Sequence, residues 1–231
     1  MFQNLNKVLV VAAHPDDEVI GCGATIAKHA MNGDEVQIIF MSDGESSRNT
    51  INKNLLQKKI NKRQICAKKF CKYLNIKKPI FLNLKDNEMD KYSTLYIVKK
   101  IEKLIKKFKP NIVYTHFFYD LNIDHQITNR CVMTACRPYV FKFIKLILAF
   151  EIASSTNLNP DISKRFSPNF YNDVTKYIKF KKTSLNYYSD EMRTYPHPRS
   201  INSIIEKSKI RGSEIDCRNA ETFMILRMIN E

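Results

Sequence analysis

Short apolar runs alternate along this chain with stretches in which apolar residues recur every three or four positions. Lys7–Ala13, three valines between a polar start and a His-Pro pair, predicts a buried strand. Val19, Ile20, Ala24, Ile26, Ala27 and Ala30 then keep a helical period that Asn32-Gly33 closes. Glu35–Met41 predicts a second strand, Ser42–Thr50 a loop at its carboxyl end, and Ile51–Leu74 a long basic helix. A third strand, Pro79–Leu84, leads through the polar turn Lys85–Lys91 into an amphipathic helix, Leu95–Phe108, stopped by Lys109-Pro110. Asn111–Thr115 predicts the fourth strand, His125–Cys136 a helix ended by Arg137-Pro138, and Leu146–Ile152 the fifth strand.

Strands and helices that alternate this way predict an α/β fold: a Rossmann-like wound parallel sheet flanked by helices. After Ser154 the pattern loosens. Phe170–Asp173 predicts a short strand, Val174–Tyr188 and Ile201–Lys209 helices, and Thr222–Met228 a last strand. With no repeat or linker, residues 1–231 read as one domain, a core over 1–155 with a C-terminal extension over 156–231 that carries a small extra strand and helix region and is expected to complete the active site.

Composition narrows the function classes. Hydrophobic residues make up 44% and charged residues 26% of the 231, a globular balance, and no apolar run reaches the ~18–20 residues of a membrane span. Met1–Lys7 lacks the layout of a secretory signal, so the expected location is cytoplasmic. The six cysteines form no C-x-x-C pair and read as small apolar residues in a reducing compartment. The net charge of +15 is spread along the whole chain; it reads as a solvated basic surface suited to an anionic small substrate, with no nucleic-acid face and no stable membrane insertion. A homo-oligomer is compatible with this sequence.

In wound α/β folds ligands bind outside the carboxyl ends of the strands, so the polar residues there carry the chemistry. Ala13-His14-Pro15-Asp16-Asp17-Glu18 follows the first strand, Ser42-Asp43-Gly44-Glu45-Ser46-Ser47-Arg48 the second, and Thr115-His116 and Asp120-Leu121-Asn122-Ile123-Asp124-His125 the fourth. His14, Asp17 and His125 make a two-His, one-carboxylate metal set of the kind catalytic zinc uses, with a position left for water. Two adjacent acids do not both reach one ion; one can bind while the other serves as base. On the plainer reading, His14 is a strand-end histidine and the aspartate after it a helix cap.

His14-Pro15-Asp16-Asp17-Glu18, Ser42-Asp43-Gly44-Glu45 and Asp120-x-Asn122-x-Asp124-His125, in this order, resemble the PIG-L/LmbE-like zinc-dependent N-deacetylases. Phe81–Asp90, Phe150–Thr156, Tyr188–Arg193 and Pro196–Ser200 extend the similarity over essentially the whole chain. The resemblance implies a Rossmann-type sheet without a dinucleotide, in keeping with Gly21-Cys22-Gly23 lying inside the helix rather than in a phosphate-binding turn. It implies one zinc ion on His14, Asp17 and His125, Asp16 as general base, and Asp124 as an orienting residue. Relatives that carry a histidine at position 122 use it to stabilise the oxyanion or protonate the leaving amine; here Asn122 can donate a hydrogen bond but cannot shuttle a proton. His197 is the candidate general acid, with Asp16 returning the proton as the alternative. Arg48, Arg193 and Arg199 are candidates for gripping a phosphate or carboxylate, Asp120 for a further substrate contact, and His116 for a substrate contact or for supporting another site residue from behind.

The expected function is removal of the acetyl group from an N-acetylated amino sugar, nucleotide-linked and in surface-glycan biosynthesis, with release of acetate. The alternatives are a non-catalytic sugar-nucleotide binding module, and an amidohydrolase acting on another conjugate, mycothiol-like or lipid-linked.

Overall fold

The computed structural model describes residues 5–48 and 52–230; Met1–Asn4 of the segment read for a secretory signal, the loop residues Asn49 and Thr50 and the predicted helix start Ile51 lie outside these. Seven strands form one sheet in the order β3-β2-β1-β4-β5-β7-β6. The first five, β1 (Lys7–Ala12), β2 (Glu35–Ser42), β3 (Ile80–Leu84), β4 (Ile112–His116) and β5 (Leu146–Phe150), run parallel. Helices α1 (Asp17–Met31), α2 (Lys53–Tyr73), α3 (Thr94–Phe108) and α4 (Ile123–Ala135) join them, as the periodicity predicts.

Burial explains the apolar runs. β1, β4 and β5 have helices or strands on every side, and alternate residues feed two separate cores. Val8, Val10 and Ala12 face Phe40, Phe70, Leu148 and Leu185; Leu9 and Val11 face Ile97, Ile101, Val113 and Val132. α3 stops at Lys109, whose left-handed backbone (φ 56°) precedes Pro110, the predicted breaker.

The C-terminal extension carries the expected extra strands and helices and joins them to the same sheet. β6 (Phe170–Asp173) and β7 (Ala220–Met228) extend the same sheet, β7 lying antiparallel to β5 and β6 antiparallel to β7. α5 (Ile178–Tyr187) starts four residues later than predicted, because the Val174 N–H donates to Asn219 O and Thr175 is capped by Asp173, which holds 174–177 in a turn. α6 (Ile201–Ser213) begins on the Ser200 cap. From β1 the chain winds outward through β2 to β3, then crosses to β4 and β5 on the other side. The loops after β1 and β4 therefore diverge at a switch point, where such sheets open a crevice.

Candidate active site

His14 leaves the end of β1 and Asp17 opens α1, where its negative charge meets the positive end of the helix. Asp16 caps α1 with φ 145° and ψ −28°, a conformation that costs a non-glycine residue about 1–3 kcal/mol. The fully buried Glu18 holds that turn: its Oε2 accepts the Asp16 N–H at 3.0 Å and its Oε1 the Tyr188 hydroxyl at 2.6 Å. Burial pushes the Glu18 carboxyl up to about 8.

Across the crevice Asn122 caps α4, its Oδ1 accepting the N–H of Asp124 (2.8 Å) and of His125 (3.4 Å). The cap aims His125 at β1: its Nε2 lies 3.3 Å from Asp17 Oδ2, which lies 3.0 Å from His14 Nδ1. All three residues are buried, and one donor atom from each lies within 4.8 Å of the others. Ligands held at ~2.0–2.1 Å around a tetrahedral zinc stand ~3.3 Å apart, so the observed separations fit such an ion and the N, N, O donor set suits it. Burial disfavours charge on His125, yet Asp17 and Asp120 outweigh it and raise this group to about 9. His14 goes the same way: Asp17, Asp124 and Asp86 overcome burial and hold it well above the usual imidazole range.

A second cluster, His14 with Asp86 and Asp124, also meets a metal's spacing. Its geometry reads better as support for the first. His14 Nε2 lies 3.0 Å from Asp86 Oδ1 and 3.3 Å from Asp124 Oδ2, while Asp124 also accepts the N–H of Asn87 at 2.8 Å. A histidine that donates one ring nitrogen to a carboxylate presents the other to a metal.

Asp16 sits beside this triangle, buried between two guanidinium groups. Arg63 approaches its Oδ2 at 3.2 Å and Arg199 bonds the same oxygen, while Oδ1 has no hydrogen-bond partner. Burial raises the Asp16 carboxyl against the pull of both arginines. Arg63 also contacts Glu191 (3.0 Å), Glu45 (3.6 Å) and Gly44 O. Gly44 has φ +71°, and a Cβ there would fall on the Arg63 guanidinium.

One cavity of about 230 Å³ is lined by His14, Asp16, Asp17, Asn122, His125 and Arg199, together with Arg48, Arg63 and Asp86. The other expected site residues lie elsewhere. Asp120 is fully buried behind His125, 3.0 Å from its Nδ1, and accepts the Asn122 N–H and the hydroxyls of Ser155 and Thr156. His116 is fully buried and stacked on His125 at 3.9 Å; its Nε2 accepts the Ala13 N–H at 2.8 Å, so that nitrogen carries no proton. Burial and the neighbouring His125 keep His116 well below the usual imidazole range. His197 is exposed, its Nδ1 accepting the Arg199 N–H at 3.0 Å, and does not line the cavity. Arg193 is likewise exposed and outside the lining. Arg48 lines it, yet its guanidinium is engaged by Glu191 at 2.7 Å and Glu45 at 3.4 Å.

Sequence reasoning missed Arg63 and gave no role to Asp86, Glu45 or Glu191, which it met only inside longer motifs. Arg63 carried a signal: it falls in line with Ala67, Phe70, Cys71 and Leu74 on the buried stripe of a helix that is otherwise solvated. Asp86 carried a weaker one, its place just past the carboxyl end of β3.

Comparison with known proteins places the chain in a family. A protein described as "Probable N-acetyl-alpha-D-glucosaminyl L-malate deacetylase 2" from Bacillus cereus is 28% identical over 177 residues, 73% of this chain and 79% of the relative. The N,N'-diacetylchitobiose deacetylase of Pyrococcus horikoshii superposes with a TM-score of 0.79 at 22% identity, over 98% of this chain and 85% of that one. The 4-carboxy-2-hydroxymuconate hydratase of Pseudomonas putida KT2440 shares the fold equally well (TM-score 0.78, 17% identity, 98% and 99% coverage), so this scaffold alone does not name a reaction. The family model of the GlcNAc-PI de-N-acetylases, PIG-L, matches residues 9–136, more than half of the chain, and the protein belongs to that family.

Proposed function

We propose that this chain is a zinc-dependent hydrolase that removes the acetyl group from the nitrogen of an amino sugar, releasing acetate and the free amine. The observation that carries this reading is the buried His14–Asp17–His125 donor triangle sharing one cavity with Asp16, whose Oδ1 is unpartnered. His14, Asp17 and His125 would hold the ion, which when bound supplies Lewis acidity to the amide carbonyl and makes water a nucleophile near neutral pH.

The protein's own residues do the rest. Asp16 takes the proton of the attacking water, held in place by Arg63 and Arg199. As the carbonyl oxygen gains charge, Asn122 donates from Nδ2, the amide atom that its capping role leaves free. The leaving nitrogen needs a proton, and the same Asp16 returns it; the exposed His197, whose Nδ1 is engaged by a backbone N–H, is not given this step. Asp120 orients His125, and Asp124 with Asp86 orients His14. Residues 1–155 and 156–231 act as one catalytic unit, because Glu191 and Arg199 from the second part hold Arg63 and Asp16 of the first. A nucleotide-linked amino sugar of a surface-glycan pathway, handled in the cytoplasm, suits the basic charge.

The test is metal analysis of the purified protein followed by amine release from a panel of N-acetylated sugars, nucleotide-linked ones included. About one divalent ion per chain and chelator-sensitive release support the reading. An ion retained with no release from any N-acetyl sugar contradicts it in favour of a binding module. Release only from a non-sugar amide contradicts it in favour of another amidohydrolase.

A further inference from the structure

The catalytic cavity has a neighbour. A crevice of about 200 Å³ lies between α2, the end of α5 and the loop after β2, and it shares Arg48 and Arg63 with the cavity. Neither space alone reaches the ~300 Å³ at which ordinary small-molecule sites begin, whereas the two joined do. A single sugar ring with its acetamido group accounts for the first. The second remains for whatever the sugar is attached to.

The crevice is lined by four cations, Arg48, Lys59, Lys62 and Arg63, against three carboxylates, Glu45, Asp190 and Glu191, and the question is which cations those carboxylates leave over. Lys59, Lys62, Arg63 and Cys66 fall at i, i+3, i+4 and i+7, so one stripe of α2 forms its wall. Arg63 is buried among the carboxylates of Asp16, Glu45 and Glu191, and Arg48 is held by Glu191 and Glu45. The two lysines are different. Lys59 forms no ion pair among the described residues, and Lys62 pairs only with the exposed Asp190, an interaction of little worth in water. Their ammonium groups are thus available to a ligand, while Tyr187 from α5 adds an aromatic residue to the lining.

We infer that this crevice is a carrier subsite, in which Lys59 and Lys62 bind the phosphate through which the amino sugar is linked to its carrier. The inference rests on the deacetylase reading for the identity of the sugar, but the test below does not depend on turnover.

The experiment measures binding of glucosamine 1-phosphate and methyl glucosaminide to the full chain by calorimetry, with the ratio of the two dissociation constants as the readout. The wild type is expected to prefer the phosphate at least ~10-fold, a preference that shrinks as salt is raised. In the Lys59→Ala/Lys62→Ala double variant, on a solvated helix face where alanine is well tolerated, the ratio falls below ~3. A ratio near one in the wild type overturns the inference, and so does an undiminished ratio in the variant. Phosphate esters occur in nucleotide-linked and lipid-linked sugars alike. Competition by a free nucleoside diphosphate assigns the carrier to a nucleotide; phosphate preference without such competition assigns the site to the phosphate alone. Acetate release from N-acetylglucosamine 1-phosphate is followed in parallel. No release with the preference intact removes the proposed function and keeps the crevice; release with a flat ratio does the reverse.

Discussion

Asp120 is where the sequence expectation and the geometry part most sharply, so Asp120→Asn separates them. As a substrate contact Asp120 would govern KM; as the partner of His125 it governs the metal. Its carboxylate accepts three hydrogen bonds, from Asn122 N on Oδ1 and from the Ser155 and Thr156 hydroxyls on Oδ2, and its Oδ1 also lies 3.0 Å from His125 Nδ1 in a close charge contact. Asparagine keeps the shape. Its carbonyl can stay on His125, and its NH2 meets two hydroxyls able to rotate and accept. What is lost is charge, which supports the basicity of His125. Residues in this role are worth 10–100-fold in metal affinity, and with the orienting contact retained the lower end applies: about 10-fold, or ~1.4 kcal/mol. Asp120→Ala also strands buried donors at ~1–3 kcal/mol each, so it should lower the melting temperature as well. Chelator competition on the purified variants measures the affinity, and initial rates at saturating metal measure KM. Unchanged metal affinity in Asp120→Asn together with a raised KM would refute the reasoning and restore the substrate contact.

Two further predictions concern the scaffold. Lys181 donates from buried Nζ to Ile20 O (2.7 Å) and Glu221 (2.6 Å), while Glu221 accepts the N–H of Ala24 and Thr25 just past the non-helical Cys22 in α1. Lys181→Met leaves that carboxylate uncompensated and should cost ~3–5 kcal/mol in urea unfolding, partly recovered by Glu221→Gln in the same chain. Asp34 accepts from His29 (2.6 Å) and from the Asn6 N–H (2.7 Å), and although burial opposes it these bonds hold its carboxyl below the usual range. A depressed folded value means stability that is present above the unfolded carboxylate pKa and lost as pH falls through the folded one. Asp34→Asn should therefore destabilise at neutral pH, and its deficit against wild type should close below pH ~4; a deficit that is the same at acid pH would refute the assignment.

The parallel strands and their helices were legible because strands buried on both faces read as short continuous apolar runs, which alternate with helices of 3.6-residue period. Strand pairing leaves no such mark, which is why the antiparallel docking of β7 on β5 was not read. In the site, His14, Asp17 and His125 were legible because each stands at the end of a predicted element. Of the two roles open to His116, the structure disfavours the substrate contact, because alternation along β4 puts it on the side of Tyr114, turned under His125 and against Phe150 rather than into the cavity. Arg63 was hidden by its own helix, where it is one basic residue among many.

The central claim is a division of labour between two adjacent aspartates, one holding a metal and the other moving a proton. Asp16→Asn tests it most directly when metal content and turnover are measured on the same sample. The account predicts about one ion per chain, as in wild type, with kcat lower by ~10²–10⁴. A variant that turns over normally, or one that has lost its metal, would contradict it.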